Sequence, residues 1–413
     1  MASLRFTLFD LTKKIWPKVT AYALLGVVSA LAAAVFKDYI PQELSSLVGP
    51  DTVGNILTIL ASSMLAVTTF SLSTMVSAYG AATSNVTPRA TQLITEDKAT
   101  QNALSTFLGT FLFSLVGIIA LNMNIYQGGG RFILFVFTLG IVVLIVVTFI
   151  RWIERLTTLG RVNETNGLIE RSAAKAITER AHQPTFGCNR LDTLVTLPDE
   201  NMVISEAGGY VQYLNAKRLS ALADENDVDI YVLTLPGKYV STGTPLAILT
   251  KALPEETLQT LCSCFTIAEQ RTFEQDPRFG LCVLAEVASR AMSPAINDHG
   301  TAIDIVTRLS RVLELYASQR KYESVEYKRV WMAELRVDDL FQDAFNPVAR
   351  DAAGSFEVHA QLQKALVHLG GLAEDYRASA IKYSRIALEY TEQKLLIEEE
   401  KVKLKNIAAK LEL

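Results

Sequence analysis

Charge is nearly missing between Val19 and Ile150, and it is absent altogether from Val19–Phe36, Thr52–Pro88, Ala99–Gly130 and Phe132–Ile150. Stretches of that composition are foreign to an ordinary soluble domain. Ionisable side chains at membrane depth usually mark proton relays, so their lack here argues against a proton-coupled pump. Only four cysteines occur, Cys188, Cys262, Cys264 and Cys282. Their spacing fits neither a zinc site nor a disulfide framework, and reduced thiols with no cofactor are expected. Four histidines are too few and too scattered for a metal centre. No basic patch is interleaved with exposed aromatics, so no nucleic-acid partner is expected. The basic start (Arg5, Lys13, Lys14, Lys18) leads into an apolar run without a small-residue cleavage site, so that run is expected to stay in the mature protein.

What the chain does have is apolar surface: 50% of its 413 residues are hydrophobic and 20% charged, with a net charge of −4. A helix rises about 1.5 Å per residue, so a hydrocarbon core of about 30 Å needs about 20 residues. The four uncharged stretches each supply a span. Lysine and arginine gather at the N-terminus, at Arg89 and Lys98, and at Arg151, Arg155 and Arg161. This bias predicts both termini on the cytoplasmic side of a bacterial inner membrane. Trp16, Tyr39, Tyr126 and Trp152 stand where interfacial aromatics belong.

The second span carries a pattern of its own. Thr58, Ser62, Ala66, Thr69, Ser73, Ser77, Gly80 and Ser84 recur at helical spacing, while Leu60, Met64 and Val67 mark a different, apolar face. Small residues let helix backbones approach and hydroxyls bond locally, which makes this a packing face. Alternatively Thr58, Ser62, Thr69, Ser73, Ser77 and Ser84 line a water-filled path at the centre of a homo-oligomer, which would carry ions or a small solute.

After Trp152 an amphipathic helix leaves the membrane. Residues 193–250 are β-rich runs broken by Gly, Pro, Asn and Asp, and PGKYVSTGTPL resembles half of a biotinyl-lipoyl barrel-sandwich. Lys217 in NAKRL lacks the hairpin setting of an attachment lysine, so no covalent cofactor is expected. From about Pro254 the chain reads as helical. Arg271, Glu274, Asp276 and Arg278 precede a helix with Leu281, Leu284, Val287 and Ala288 in apolar period. Ser293, Asn297, Asp298 and His299 form a turn beyond it, and Thr301 is the expected cap of the next helix.

EQDPRFG followed by SPAIND and TA, together with PRATQLITEDKATQNALSTFLGTF in the membrane half, resembles a bacterial predicted-membrane-protein family, domain of unknown function 2254. The likeness spans residues 10–370. It implies four membrane helices and a cytoplasmic domain, and it implies no activity. The sequence departs from the family pattern at His299-Gly300, where proline and a bulky residue are usual.

Three readings of the cytoplasmic cluster follow. It is a turn network in which Arg271 or Arg278 meets Glu274, Asp276 or Asp298; or it holds a small ligand or ion; or it is catalytic, for which a single histidine and no nucleophile–base pair offer little. From Tyr376 a long charged helix is expected, with Ile381, Leu388, Leu395, Val402 and Ala409 at seven-residue intervals.

The expected fold is therefore an α-helical integral membrane domain of four helices (residues 1–151), a connecting helix and linker (152–190), and a cytoplasmic α+β region. That region comprises a small barrel-sandwich-like β module (191–252), a helical domain (253–370) and a charged C-terminal helix (371–413). The expected partners are the lipid bilayer and further copies of the chain. The expected function is a channel-like pore with a cytoplasmic regulatory domain, or else a non-conducting scaffold or sensor.

Overall fold

A computed structural model describes residues 15–36, 49, 51–95, 97–123, 129–191, 201–321 and 324–411. The chain forms two compact units, Met1–Thr165 and Asn166–Leu413.

The first unit contains α1 (Ile15–Phe36), α2 (Thr52–Asn85), α3 (Lys98–Asn122) and α4 (Gly129–Thr158). Among the described residues three helices, α2, α3 and α4, are long and apolar enough to cross a membrane. At 1.5 Å per residue α2 is about 51 Å long, well beyond the hydrocarbon thickness of about 30 Å. α3 is the hub of the unit and is buried on most of its surface, including Ser105, Thr106, Gly109, Thr110, Ser114 and Gly117. The close-packing role of small residues falls to this helix. α1 lies against it, with Lys18 Nζ donating to Asn102 Oδ1 at 2.6 Å and Tyr22 Oη 3.0 Å from Thr106 Oγ1. Phe107, Phe113, Leu57 and Leu134 form the centre of the apolar core.

Trp152 departs from the interfacial role read from the sequence. It is 2% exposed and donates its indole N–H to Ser71 Oγ at 2.9 Å. A ring that finds a polar partner inside a bundle gains both burial and a hydrogen bond. Tyr39 and Tyr126 lie outside the described residues.

The chain passes into the second unit within α5 (Val162–His182). There follow β1 (Cys188–Arg190), β2 (Met202–Ile204), β3 (Gly209–Leu214), α6 (Ala216–Asn226), β4 (Ile230–Val232), β5 (Tyr239–Val240), β6 (Pro245–Leu249), α7 (Glu255–Cys262) and β7 (Phe265–Ala268). Next come α8 (Pro277–Ala291), α9 (His299–Gln319), β8 (Tyr327–Met332), α10 (Val337–Asp351), α11 (Phe356–Gly370), α12 (Glu374–Lys394) and α13 (Glu398–Ala408).

One sheet has the order β1-β8-β4-β6-β2, and a second, antiparallel sheet the order β5-β3-β7. β8 pairs in parallel with both β1 and β4, so a strand from far along the chain completes the sheet. The expected self-contained module of residues 191–252 thus shares its sheet with β1 and β8, which lie outside that range. Lys217 is exposed on α6 rather than in a hairpin.

In the helical part, α8 packs on α9 and α10, with Leu281, Leu284, Val287 and Ala288 buried as their period predicts. Tyr316, Tyr376, Phe341 and Phe345 are fully buried, each contributing about 1.5–3 kcal/mol by burial. The C-terminal segment corrects the seven-residue reading: the chain breaks between Lys394 and Glu398, and α13 returns to pack on α11 and α12. Glu398, Glu399 and Glu400 open α13, where acidic groups favour a helix start. Leu404 is buried with Leu395 and Ala360, and Lys401 and Lys405 reach Glu392 at 3.4 and 3.0 Å.

Candidate functional site

Two places carry the residues singled out above, one in each unit. On α2, Thr58, Ser62, Thr69, Ser73, Ser77 and Ser84 are all exposed in the single chain. The opposite face, with Val53, Leu57, Ala61, Met64 and Ser71, is buried. Leu60 and Val67 pack against the core as their period predicts. Four of the six hydroxyls bond back to their own helix: Thr58 to Gly54 O, Ser62 to Thr58 O, Thr69 to Leu65 O and Ser84 to Ala81 O. Ile59, Phe70, Leu72 and Val76 are exposed on the same broad surface. The hydroxyl row therefore makes no helix–helix seam among the described residues of one chain.

Near one end of these helices is a constellation that sequence reading missed. Asp97 caps α3, accepting from Thr100 N at 3.0 Å and Thr100 Oγ1 at 2.7 Å. Arg155 near the end of α4 grips the same carboxylate through Nε (3.2 Å) and Nη2 (3.1 Å), and extends Nη1 to Glu164 Oε1 at 3.0 Å. The lysine and arginine count that orients the spans treats Arg155 as one more surface cation. The cap position just ahead of an apolar helix was the available signal for Asp97.

In the second unit the predicted polar cluster divides into two groups at opposite ends of α8, about 20 Å apart along a 15-residue helix. At its start, Asp276 is 2% exposed and accepts Phe279 N at 3.1 Å as the helix cap. Arg271 meets Asp276 in a two-point contact of 2.7 and 3.0 Å and lies over the Phe279 ring. Burial opposes the charge on Arg271, but the hydrogen bonds and charge of Asp276 outweigh it and raise the guanidinium above its ordinary value. Burial acts on Asp276 in the other direction, pushing its carboxyl up against the pull of Arg271 and the Phe279 amide.

Arg278 acts on Asp276 by its charge but makes its hydrogen bonds elsewhere. It holds Asp343 at 2.6 and 3.1 Å and Asp339 at 3.0 Å, fastening α8 to α10. Glu274 is exposed and lines a separate cavity.

The PGK turn closes over this pair. Lys238 N donates to Leu235 O at 3.2 Å, and Gly237, at φ +92°, donates to Val211 O at 2.8 Å. Such a turn requires a positive φ after proline, which glycine supplies. A Cβ at Gly237 would lie 2.5 Å from the Asp276 carboxyl carbon, so the close approach also needs glycine. The result is a cavity of about 310 Å³ lined by Arg271, Asp276, Arg278, Asp339 and Asp343, with Lys238 and Arg336 at its exposed edge. Gly237, Lys238, Arg336, Asp339 and Asp343 were not singled out from the sequence because the turn and the helix meet only in the fold.

At the other end of α8, Ser293, Asn297, Asp298 and His299 form the expected turn. Asn297 adopts a left-handed backbone (φ +51°), and the turn is mostly exposed. Asp298, not Thr301, is the cap: it accepts Thr301 N at 2.9 Å and Thr301 Oγ1 at 2.6 Å. Those bonds hold its carboxyl below the usual range. Among the described residues no three His, Cys, Asp or Glu side chains converge as metal ligands. The four cysteines are free thiols, and burial pushes Cys188 and Cys264 up to about 12.

Membrane-length helices in one unit, joined to a second unit of sheets and charge-paired helices, define a multi-span membrane protein with a large folded extension. The profile of the family described as predicted membrane protein, domain of unknown function 2254, matches residues 12–368, and the chain belongs to that family. It is similar to uncharacterised proteins of Mycobacterium tuberculosis strain H37Rv and of Mycobacterium bovis. Each is 24% identical over 321 residues, covering 74% of this chain and 61% of the relative. The chain thus spans less than two thirds of the length of these relatives. No solved structure matches.

Proposed function

We propose that the protein is a homo-oligomer of the bacterial inner membrane in which subunits meet along the exposed hydroxyl face of α2 and enclose a channel-like conduit. In this reading α1 is the fourth span and both termini are cytoplasmic. The second unit, whose two sheets share one apolar core with residues of α6 and α7, is in this reading a cytoplasmic regulatory domain.

The observation that carries the reading is the direction of the hydroxyls. They turn away from the chain's own bundle, whose small-residue seam is already supplied by α3. A row of hydroxyls that serves no internal packing, flanked by exposed Ile59, Phe70, Leu72 and Val76, is suited to a subunit interface that borders a shared, hydrated interior. Reconstitution in lipid bilayers tests this: ion or small-solute flux is expected, and Thr69→Leu with Ser73→Leu is expected to stop it while the oligomer survives. Absence of flux at every voltage, tension and pH tried would remove the conduit.

A second reading, a non-conducting sensor, is favoured by the cavity beside Arg271 and Asp276, where Lys238 and Arg336 make no ion pair with described residues. Loss of the oligomer, rather than of flux, in the double leucine variant would favour it.

A further inference from the structure

Arg180, in the last turn of α5, is 4% exposed, and its Nε and Nη1 are enclosed without an acceptor. Burial lowers its pKa only to about 10, so the guanidinium keeps its charge at neutral pH. The carboxylates that influence it are committed elsewhere. Asp276 is held by Arg271 and the Phe279 amide, and Glu334 lies 3.3 Å from Arg190. A buried cation without a paired counter-ion is strongly unfavourable; among the described residues the face of Phe186 lies 4.0 Å from the guanidinium carbon, and Tyr316 and Cys188 lie near enough to act on its charge. Phe186 reaches that position through a left-handed backbone (φ +53°), which is unusual for an aromatic residue.

Arg180 lines a cavity of about 200 Å³ together with Gln183, Phe186 and Gln275. The exposed side chains of Glu179 and Glu274 complete its edge. The Gln275 amide is spent on the Leu214 backbone, as acceptor at 2.7 Å and donor at 3.3 Å, so it does not compensate Arg180.

We propose that this cavity is a binding site for a small monocarboxylate, whose oxyanion supplies the negative charge missing beside Arg180. A guanidinium suits a carboxylate in both charge and hydrogen-bond geometry. Glu274, and Glu179 with its exposed partner Lys175 at 3.9 Å, place negative charge at the edge that repels a second negative charge on the ligand and so selects a monoanion over a dianion. The site is separate from the cavity beside Arg271 and does not depend on conduction.

The test is calorimetric titration of the full chain in detergent with acetate and with inorganic phosphate, at constant ionic strength and at a mildly alkaline pH where phosphate is predominantly the dianion. Saturable acetate binding is expected, with phosphate weaker by roughly tenfold. Arg180→Met removes the charge at similar volume; it should melt no lower than the parent without ligand and lose acetate binding. Glu179→Gln with Glu274→Gln, both exposed, should narrow the gap between phosphate and acetate, and this variant decides the matter if Arg180→Met does not fold. Failure of acetate to bind the parent saturably, acetate binding that survives Arg180→Met, or an unchanged phosphate-to-acetate ratio in the glutamine variant would each overturn the proposal.

Discussion

The two units handle polar groups in opposite ways. In the first, hydroxyls on α2 are satisfied one at a time by the helix that bears them, as Thr58, Ser62 and Thr69 bond their own carbonyls. In the second, polar groups bind elements to one another: Asp276 joins a helix cap to Arg271, and Arg278 joins α8 to α10. A helix whose polar groups are satisfied locally can present them to any surface without loss of fold. A network that crosses elements fixes its geometry and is sensitive to every member. Trp152 with Ser71 and Lys18 with Asn102 also join elements in the first unit, and Asp97 with Arg155 is a charged exception there, an inter-element ion pair of the kind that prevails in the second.

That exception gives the largest expected effect. Asp97→Ala removes the α3 cap and leaves the little-exposed Arg155 with Glu164 as its remaining carboxylate and Thr158 as a weak acceptor, and should cost about 3–5 kcal/mol, read from denaturant unfolding in detergent. Near-neutral behaviour would place the Asp97 pair with the dispensable polar groups of α2.

Acid should act next, and on the second unit. His359 is fully buried, its Nε2 is 3.0 Å from Ala349 O, and burial lowers its pKa from 6.5 to about 4. The unfolded chain therefore takes up the proton first. The stabilisation is complete above pH 6.5 and is lost as the pH falls through 4, a change of about 3 kcal/mol. Melting across that range should show the loss in the parent and a flatter profile in His359→Gln.

Gly237→Ala places a Cβ on the Asp276 carboxylate at a left-handed position and should cost about 2–3 kcal/mol, measured by the melting of the second unit. The smallest effect is a contrast within one helix. Ser71→Ala strips Trp152 of its partner and should cost about 1–2 kcal/mol, whereas Ser73→Ala, two residues along on the exposed face, should change stability by no more than about 0.5 kcal/mol. Equal costs would mean that the two faces of α2 are not distinct.

Much of the first unit was legible because helices of membrane length are written locally. The uncharged stretches mark α2, α3 and α4, and the apolar period of Leu60, Met64 and Val67 marks the buried side of α2. Trp152 was misread because its partner Ser71 lies 81 residues away. The second unit was less legible for the same reason. β8 enters the sheet between β1 and β4 from a distant part of the chain, and Gly237 meets Asp276 across 39 positions, as their residue numbers show. Arg271 with Asp276 could be anticipated because five residues separate them, whereas Asp339 and Asp343 as partners of Arg278 could not. The break before α13 was signalled by Glu398-Glu399-Glu400 and obscured by a seven-residue spacing that continues through it.

The central claim is that the exposed hydroxyl face of α2 borders water inside an assembly. It is tested most directly by placing single cysteines at Thr69, Ser73 and Ser77 in a chain whose four native cysteines are replaced, embedded in lipid bilayers. The account predicts reaction with a charged, membrane-impermeant thiol reagent and a block of flux upon it. Reaction confined to a lipid-soluble reagent at all three positions would contradict it.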